Sequence, residues 1–511
     1  MQRISPFIDR GSSFFPAEIG KAVRKVQEEL KRIDRVIESG PYRDDWASLS
    51  AWRVPQWYEQ IKFGIFIHWG VFSVPAFDNE WYSRNMYIKG SRAFEHHIQT
   101  YGPQAVFGYK DFIPLFRAER FDPDAWAELF RRAGAQYVIP VAEHHDGFQM
   151  YKSQLSHYNA FEMGPRRDVL GELSRACRDR GIIAGASSHR IEHWFFMGHG
   201  KDFDSDIHEP LRRGDFYWPA MPEGDHMDIA STPEPTKEFL EDWLLRTCEI
   251  IDQYHPSIIY FDWWIQHRSA KPYLKKLAAY YYNRSLEWGQ PAVINYKFDA
   301  FPFGTAVPDV ERGQFAEMKS YAWQADTSVA RNSWCYTEDN QYREAADLVC
   351  DLVDIVSKNG RLLLNIGPKA DGTIPDRDAA ILEEIGRWLS VNGEAVTGAG
   401  VWKKYGEGPT RIPGGHFAEG KRKPFTSADF RFTTANGALY VTALKASADG
   451  VYDIHTLGMP EDAREADFNG VIRSVSVLGT DKPVTFSRGR TLQLRTDFRS
   501  DMPVVFKICI D

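Results

Sequence analysis

Cysteine is scarce in this chain. Five of 511 residues are Cys, at positions 177, 248, 335, 350 and 509. No CxxC pair occurs, so neither a zinc knuckle nor a dithiol redox site is indicated, and an odd, scattered set does not make a disulfide framework. Long apolar runs are missing too. No stretch approaches the roughly 20 apolar residues of a membrane span, and the first twenty residues lack the apolar core of a secretory leader, so a cytoplasmic protein without a membrane partner is expected. Basic residues do not dominate: 62 Lys and Arg stand against 70 Asp and Glu, for a net charge of −8. With no basic stripe to hold phosphates, nucleic acid is not an expected partner. A GxGxxG turn after a strand, a Walker A loop, HxH and HExxH are all absent, which removes the common nucleotide and zinc signatures.

Aromatic residues are plentiful, at 14% with 16 Trp. Their faces stack on sugars, and they also fill large cores. The hydrophobic (43%) and charged (26%) shares are those of a soluble globular protein, and the length allows two or three domains.

One stretch organises the rest. Ser257–Trp264 reads SIIYFDWW: four apolar residues run into a carboxylate, and two indoles follow. A run apolar on both faces is a strand buried on both sides, as in a parallel sheet. A carboxylate at its C-terminal end sits where α/β folds place their chemistry. Asp262 is therefore the first candidate reacting group, with a helix cap or core ion pair as the alternative.

Strand and helix patterns alternate around it. Strands are expected at 62–68, 136–142, 182–187, 257–261, 291–296 and 361–366. Helices are expected after Asp122-Pro123, over 168–180, from Thr236 to Tyr254, over 341–358 and over 376–392. Such alternation over about 350 residues means a mainly parallel sheet with helical crossovers. The number of units favours a (β/α)8-like TIM barrel over 46–398. The region 191–235 has no clear period, and a loop of that length is usually functional or a lid. Before the barrel, Ile19, Val23, Val26, Leu30, Ile33 and Ile37 recur at spacings of three and four and define an amphipathic helix in an extension over 1–45. It packs on the barrel, or it makes a homo-oligomer contact. After the barrel, short alternating segments such as ALYVTAL and PVVFKICI predict an antiparallel β-sandwich over 399–511.

Residues at the C-terminal ends of barrel strands converge on one mouth. Here they are His68, Glu80, Trp81, His144, His145, His189 and Asp262, with Glu311 near a later strand. Two carboxylates flanking a sugar suit glycoside hydrolysis with retention, and imidazoles that donate and accept suit its hydroxyls. A metal-dependent hydrolase is the competing reading, weakened because adjacent strand residues such as His144 and His145 point to opposite faces. A sugar-binding protein without catalysis is a third.

At these residues the chain resembles the α-L-fucosidases of glycoside hydrolase family 29. The stretches that carry the resemblance are KFGIFIHWGVFSVPAFDNEWYSRNMY (62–87), AEHHDGFQMYKS (142–153), YHPSIIYFDWW (254–264), LVDIVSKNGRLLLNIGPKADGTIP (352–375), YGEGPT (405–410) and GHFAEGKRKPFTSADFRFTT (415–434). They span nearly everything after about residue 50 and do not account for residues 1–45. The resemblance implies a retaining exo-hydrolase that removes terminal α-L-fucose from oligosaccharides or glycoconjugates, on a barrel followed by a β-sandwich, with no metal or organic cofactor. By motif match, Asp262 is the nucleophile, and His68, Glu80, Trp81, His144 and His145 hold the fucose hydroxyls. Trp334 and Phe66 are candidates for the apolar wall that meets the fucose methyl. Glu311 is the choice for the acid/base, with Glu317 and Glu338 as alternatives, and Arg312 either steadies the acid or binds a hydroxyl. Two departures stand out. Where the family has tyrosines in the third strand, this chain has Ala186–His189, so His189 or His193 takes the place of a pocket tyrosine. Where the family more often has Gly after the aspartate, this chain has Trp263-Trp264, which crowds the leaving-group side.

Overall fold

The computed structural model describes residues 16–225 and 227–511. Its centre is a closed parallel barrel. In chain order the strands are β1 (Phe63–Ile67), β2 (Tyr137–Glu143), β3 (Ile183–Ala184 and Ala186–Ser188), β4 (Ile258–Phe261), β5 (Val293–Tyr296), β6 (Val307–Glu311), β7 (Trp323–Ser328) and β8 (Gly360–Ile366). Each pairs with the next, and β8 pairs back onto β1. Strands β1, β2, β4, β5 and β8 are buried along their whole length, which is why they read as apolar runs. β3 is broken at Gly185, where a Cβ would lie 2.8 Å from the Ile258 carbonyl oxygen.

The crossover helices start where their caps dictate. The Asp122 side chain accepts from the N–H groups of Asp124 and Ala125 at the head of helix Pro123–Arg132. Thr236 does the same for Phe239 at the head of Lys237–Tyr254. Each cap contributes about 1 kcal/mol.

Several elements differ from expectation, among them the helix Arg92–Tyr101 and three elements of the barrel's second half. β6 and β7 are strands that the apolar pattern does not show. β7 reads WQADTS because Gln324 and Asp326 bond to polar groups inside the barrel: Tyr137 Oη donates to Gln324 Oε1 at 3.0 Å, and Gln324 Nε2 donates to Asp309 Oδ2 at 2.8 Å. The helix Lys271–Glu287 is also unannounced in the pattern. It buries Tyr280, Tyr281 and Tyr282 in succession, so no single stripe marks it.

The helix Pro16–Ser39 lies against Lys271–Glu287 and Lys237–Tyr254. Ile33 and Ile37 are buried there, and Val26 and Leu30 pack alongside. Burial of each isoleucine contributes about 2 kcal/mol. Arg32 pairs with Asp252 at 2.7 Å, and Lys276 pairs with Asp34 at 2.5 Å. The expected stripe positions Ile19 and Val23 lie outside the described side chains.

Beyond the barrel, two antiparallel sheets face each other. One contains Gly400–Glu407, Phe430–Ala435, Ala438–Ala443, Val504–Ile510 and Ile472–Val477; the other contains Val451–Ile454, Leu492–Arg495 and Thr485–Arg488. Phe432, Val441, Ile454, Leu494 and Phe506 fill the space between them. The segment between Glu407 and Phe430 leaves these sheets and returns to the barrel mouth. There the N–H of Phe417 donates to the Glu311 carbonyl at 2.8 Å, and the N–H of Glu419 donates to the Arg312 carbonyl at 2.8 Å. Among the described residues, no helix is long and apolar enough to cross a membrane.

Candidate active site

A cavity of about 340 Å³ opens at the C-terminal ends of the strands. Of the residues singled out in the sequence, His68, Glu80, Trp81, His144, His145, His189, Asp262, Glu311, Trp334 and Phe66 all line it. Arg312 does not. Its guanidinium turns to Glu419 at 2.9 Å and to the carbonyls of Ala330 and Ser333, under the Trp334 ring. It supports the wall from behind and does not line the cavity. Glu317 and Glu338 are exposed and outside the cavity. His193 is also outside, with its two ring nitrogens on the carbonyls of His145 and Phe216. Of the two histidines proposed in place of a pocket tyrosine, His189 is the one in the pocket. The opposite-faces argument about His144 and His145 does not hold either. β2 ends at Glu143, so both histidines stand in the turn beyond it and both reach the cavity.

The ring orientations follow from their partners. The Asn365 amide donates to Ser328 Oγ and to the Trp334 carbonyl, so its Oδ1 accepts from His68 Nδ1–H at 2.7 Å. The other nitrogen of His68 is left as an acceptor. His189 Nδ1 donates to Asp262 Oδ2 at 3.0 Å, and its Nε2 meets Ser187 Oγ at 2.9 Å. Burial first, then the neighbouring imidazoles, hold His68 and His144 well below the usual histidine range, so both are neutral. Glu80 accepts from the backbone N–H of Trp334 at 2.9 Å, which fixes the indole over the pocket. Phe66 forms the floor, edge-on to Tyr260 at 4.9 Å.

Six residues that line the cavity are absent from the expected set: Met227, Tyr260 and Phe417, and the ammonium- or carboxyl-bearing Lys297, Asp326 and Glu192. Lys297 follows β5 directly, and the strand-end rule that selects Asp262 selects it too. Its ammonium lies 3.3 Å from Asp262 Oδ1 and 3.3 Å from Asp326 Oδ2, and it bonds to Glu311 Oε2. The parallel register pairs Glu311 with Asp326, which brings two carboxylates side by side at this cation. Glu192, in the turn after β3, places Oε2 3.5 Å from His145 Nδ1. Burial and the charge of Asp262 push its carboxyl well above the usual range, so it is a neutral acid.

The two expected catalytic carboxylates titrate in opposite directions. Burial raises the Asp262 carboxyl, and the Lys297 ammonium, His189 and His145 more than reverse this, holding it well below the usual range. Burial pushes the Glu311 carboxyl up, the negative charges of Asp262 and Asp326 add to this, and Lys297 opposes it; the result is about 7. At neutral pH one carboxylate thus faces, in the same cavity, a carboxyl poised to give or take a proton.

In distance alone, the imidazoles are also close enough to hold an ion. Ring nitrogens of His68, His144 and His189 lie within 4.8 Å of one another, as do ligand atoms of His145, His189 and Asp262. Both sets need a nitrogen of His189, and both of its nitrogens are already hydrogen-bonded within the protein.

The family model described as alpha-L-fucosidase matches residues 30–394. The chain belongs to the α-L-fucosidase family. Among curated members of that family, the tissue alpha-L-fucosidase of Homo sapiens is 31% identical over 366 residues, covering 71% of this chain and 73% of that one. The alpha-L-fucosidase of Dictyostelium discoideum is 30% identical over 389 residues, with 72% and 77% covered. The crystal structure of Thermotoga maritima alpha-fucosidase aligns with a TM-score of 0.70 at 30% identity, covering 91% of this chain and 100% of that one. The same family member has been solved with fucose and with a mechanism-based inhibitor. The barrel and the following β region expected from the sequence are thus the fold of these fucosidases.

Proposed function

We propose that the cavity takes the terminal α-L-fucose of a fucosylated oligosaccharide or glycoconjugate and that hydrolysis proceeds through a fucosyl ester on Asp262. In the first step Asp262 attacks the anomeric carbon while Glu311 gives its proton to the departing glycosidic oxygen. In the second, Glu311 takes a proton from water, the water oxygen bonds to the anomeric carbon, and the Asp262 ester breaks. His68 and the other imidazoles accept and donate to sugar hydroxyls, and Phe66 and Trp334 offer the apolar surface that a methyl needs.

The observation that carries this reading is the single ammonium shared by Asp262 and Glu311. Its reach keeps their nearest carboxylate oxygens at most about 6 Å apart, which favours direct attack over an interposed water and therefore retention. The same cation helps hold Asp262 ionised, whereas at Glu311 burial and the charges of Asp262 and Asp326 outweigh it.

The test is covalent trapping. Treatment with a 2-deoxy-2-fluoro-α-L-fucosyl fluoride should give a stable adduct of one sugar per chain, and peptide mass spectrometry should place it on Asp262. An adduct on Glu311 or Glu192 would reverse the assignment, and no adduct with full activity would remove the covalent step.

A further inference from the structure

Whatever leaves the fucose must place its oxygen beside Glu311. The ring nearest that carboxyl is Trp263, whose Nε1–H donates to Glu311 Oε2. His416 accepts the backbone N–H of Glu311 at 3.0 Å and lies 5.0 Å from the Trp263 ring. Two phenylalanines extend this surface outwards. Phe417 is parallel to Trp263 within 14° at 5.9 Å, and Phe298 lies 5.6 Å from it. Both are open to solvent, Phe298 at 42% and Phe417 at 51%.

Their backbones are informative. Phe298 has φ +47° and Phe417 has φ +53°. This left-handed region crowds any residue with a Cβ and suits glycine. Exposed rings return little burial energy to offset the strain, and a chain selected for folding alone would carry glycine or asparagine there. Strained backbone of this kind collects at functional sites. The two rings also come from separate parts of the chain. Phe298 follows β5, while Phe417 belongs to the returning segment pinned to Glu311, Arg312 and Gln314 by backbone hydrogen bonds of 2.8, 2.8 and 2.9 Å.

We infer that Trp263, Phe298, Phe417 and His416 form a stacking platform for the leaving group, and that its occupant is a neutral hexopyranose presenting a C–H face. The four rings carry no charge, since burial and Lys297 lower His416 to about 4. The nearby ammonium of Lys297 is committed to three carboxyl groups. An anionic leaving group therefore has no partner here, whereas a sugar ring stacks on an aromatic face through its C–H bonds. The inference rests on the fucosidase reading and specifies the substrate as a fucosylated oligosaccharide whose next residue is recognised.

The test compares two substrates that both need the acid but differ in the ring: a fucosyl-hexose disaccharide and methyl α-L-fucoside. Phe298→Gly and Phe417→Gly remove the rings and relieve the backbone, so Tm should not fall. The ratio of kcat/KM for the disaccharide to that for the methyl fucoside should drop about tenfold in each variant, the effect of losing the apolar contact of one ring. An unchanged ratio with active enzyme overturns the platform and leaves the fucosidase reading intact. An unchanged ratio with an altered size on gel filtration would make this face an interface between two copies. Failure of the unmodified protein to cleave any fucoside, α-L-fucosyl fluoride included, would instead overturn the underlying reading.

Discussion

Lys297 Nζ lies 3.3 Å from Asp262 Oδ1, and the same ammonium holds Glu311 and Asp326. Three buried carboxyl groups share one buried cation, so its removal leaves uncompensated charge. Lys297→Met keeps the stem and removes the ammonium. Because the ammonium depresses both Asp262 and Glu311, both limbs of the pH profile of kcat/KM should move to higher pH. Loss of one partner of a buried pair also costs about 3–5 kcal/mol of stability, measurable by denaturant unfolding. A profile that stays in place would show that the lysine does not set these protonation states.

In the proposed mechanism Glu311 must be protonated to release an alcohol. With its carboxyl pushed up to about 7, kcat/KM for a poor leaving group should be full below pH 7 and fall above it. α-L-Fucosyl fluoride needs no acid, so its kcat/KM should lack that basic limb. In Glu311→Ala, azide should restore turnover of an activated aryl fucoside and give a fucosyl azide. If neither behaviour is seen, another carboxyl, with Glu192 first in line by position, is the acid.

Replacing Asp262, the proposed nucleophile, is the more severe change. Asp262→Gly should lower kcat on an aryl α-L-fucoside by about a thousandfold or more. Circular dichroism should remain that of the parent, since the carboxylate stands at a strand end and not in the core. Near-parental turnover would end the proposed role of Asp262.

The imidazole cluster invites a metal test. Because both nitrogens of His189 are committed within the protein, dialysis against a chelator should leave kcat and KM unchanged. Activity lost on chelation and restored by zinc would return the metal-dependent reading.

The apolar residues Ile33 and Ile37 of the N-terminal helix are buried against the barrel helices. Ile33→Ala should therefore cost about 2–4 kcal/mol in unfolding free energy, with no change in native mass by light scattering. A change in mass without a loss of stability would indicate the alternative reading, a contact between copies.

The fold was legible because its strongest signals are local. Strands buried on both faces are continuous apolar runs, and Asp122-Pro123 and Thr236 mark helix starts without tertiary help. β7 was illegible for the opposite reason. Its inward positions, Gln324 and Asp326, serve a polar interior that only the closed barrel creates. The pocket histidines and Asp262 were legible as strand-end residues. Lys297 obeyed the same rule but follows Asn295 and Tyr296, where polar character blurs the end of the strand. Arg312 was misread because a residue next to the acid in sequence need not face the same way. Its φ of +40° turns the chain, and the guanidinium lies behind Trp334. Phe417 lies in one of the stretches that carry the family resemblance, but its residues do not show that it stands at the mouth, since that depends on a return of the chain from the β region.

That return has a consequence for what counts as the working unit. Glu311, the proposed acid, hangs between its own strand and a segment more than a hundred residues downstream, tied carbonyl to amide at Phe417 and amide to imidazole at His416. A barrel cut at residue 398 would keep every residue of the expected catalytic set and still lose the brace on its proposed proton donor. If the proposed roles hold, exchanges of the C-terminal part between relatives should retune cleavage while leaving the cavity's histidines in place, so this region would act on substrate choice as well as on the barrel's stability.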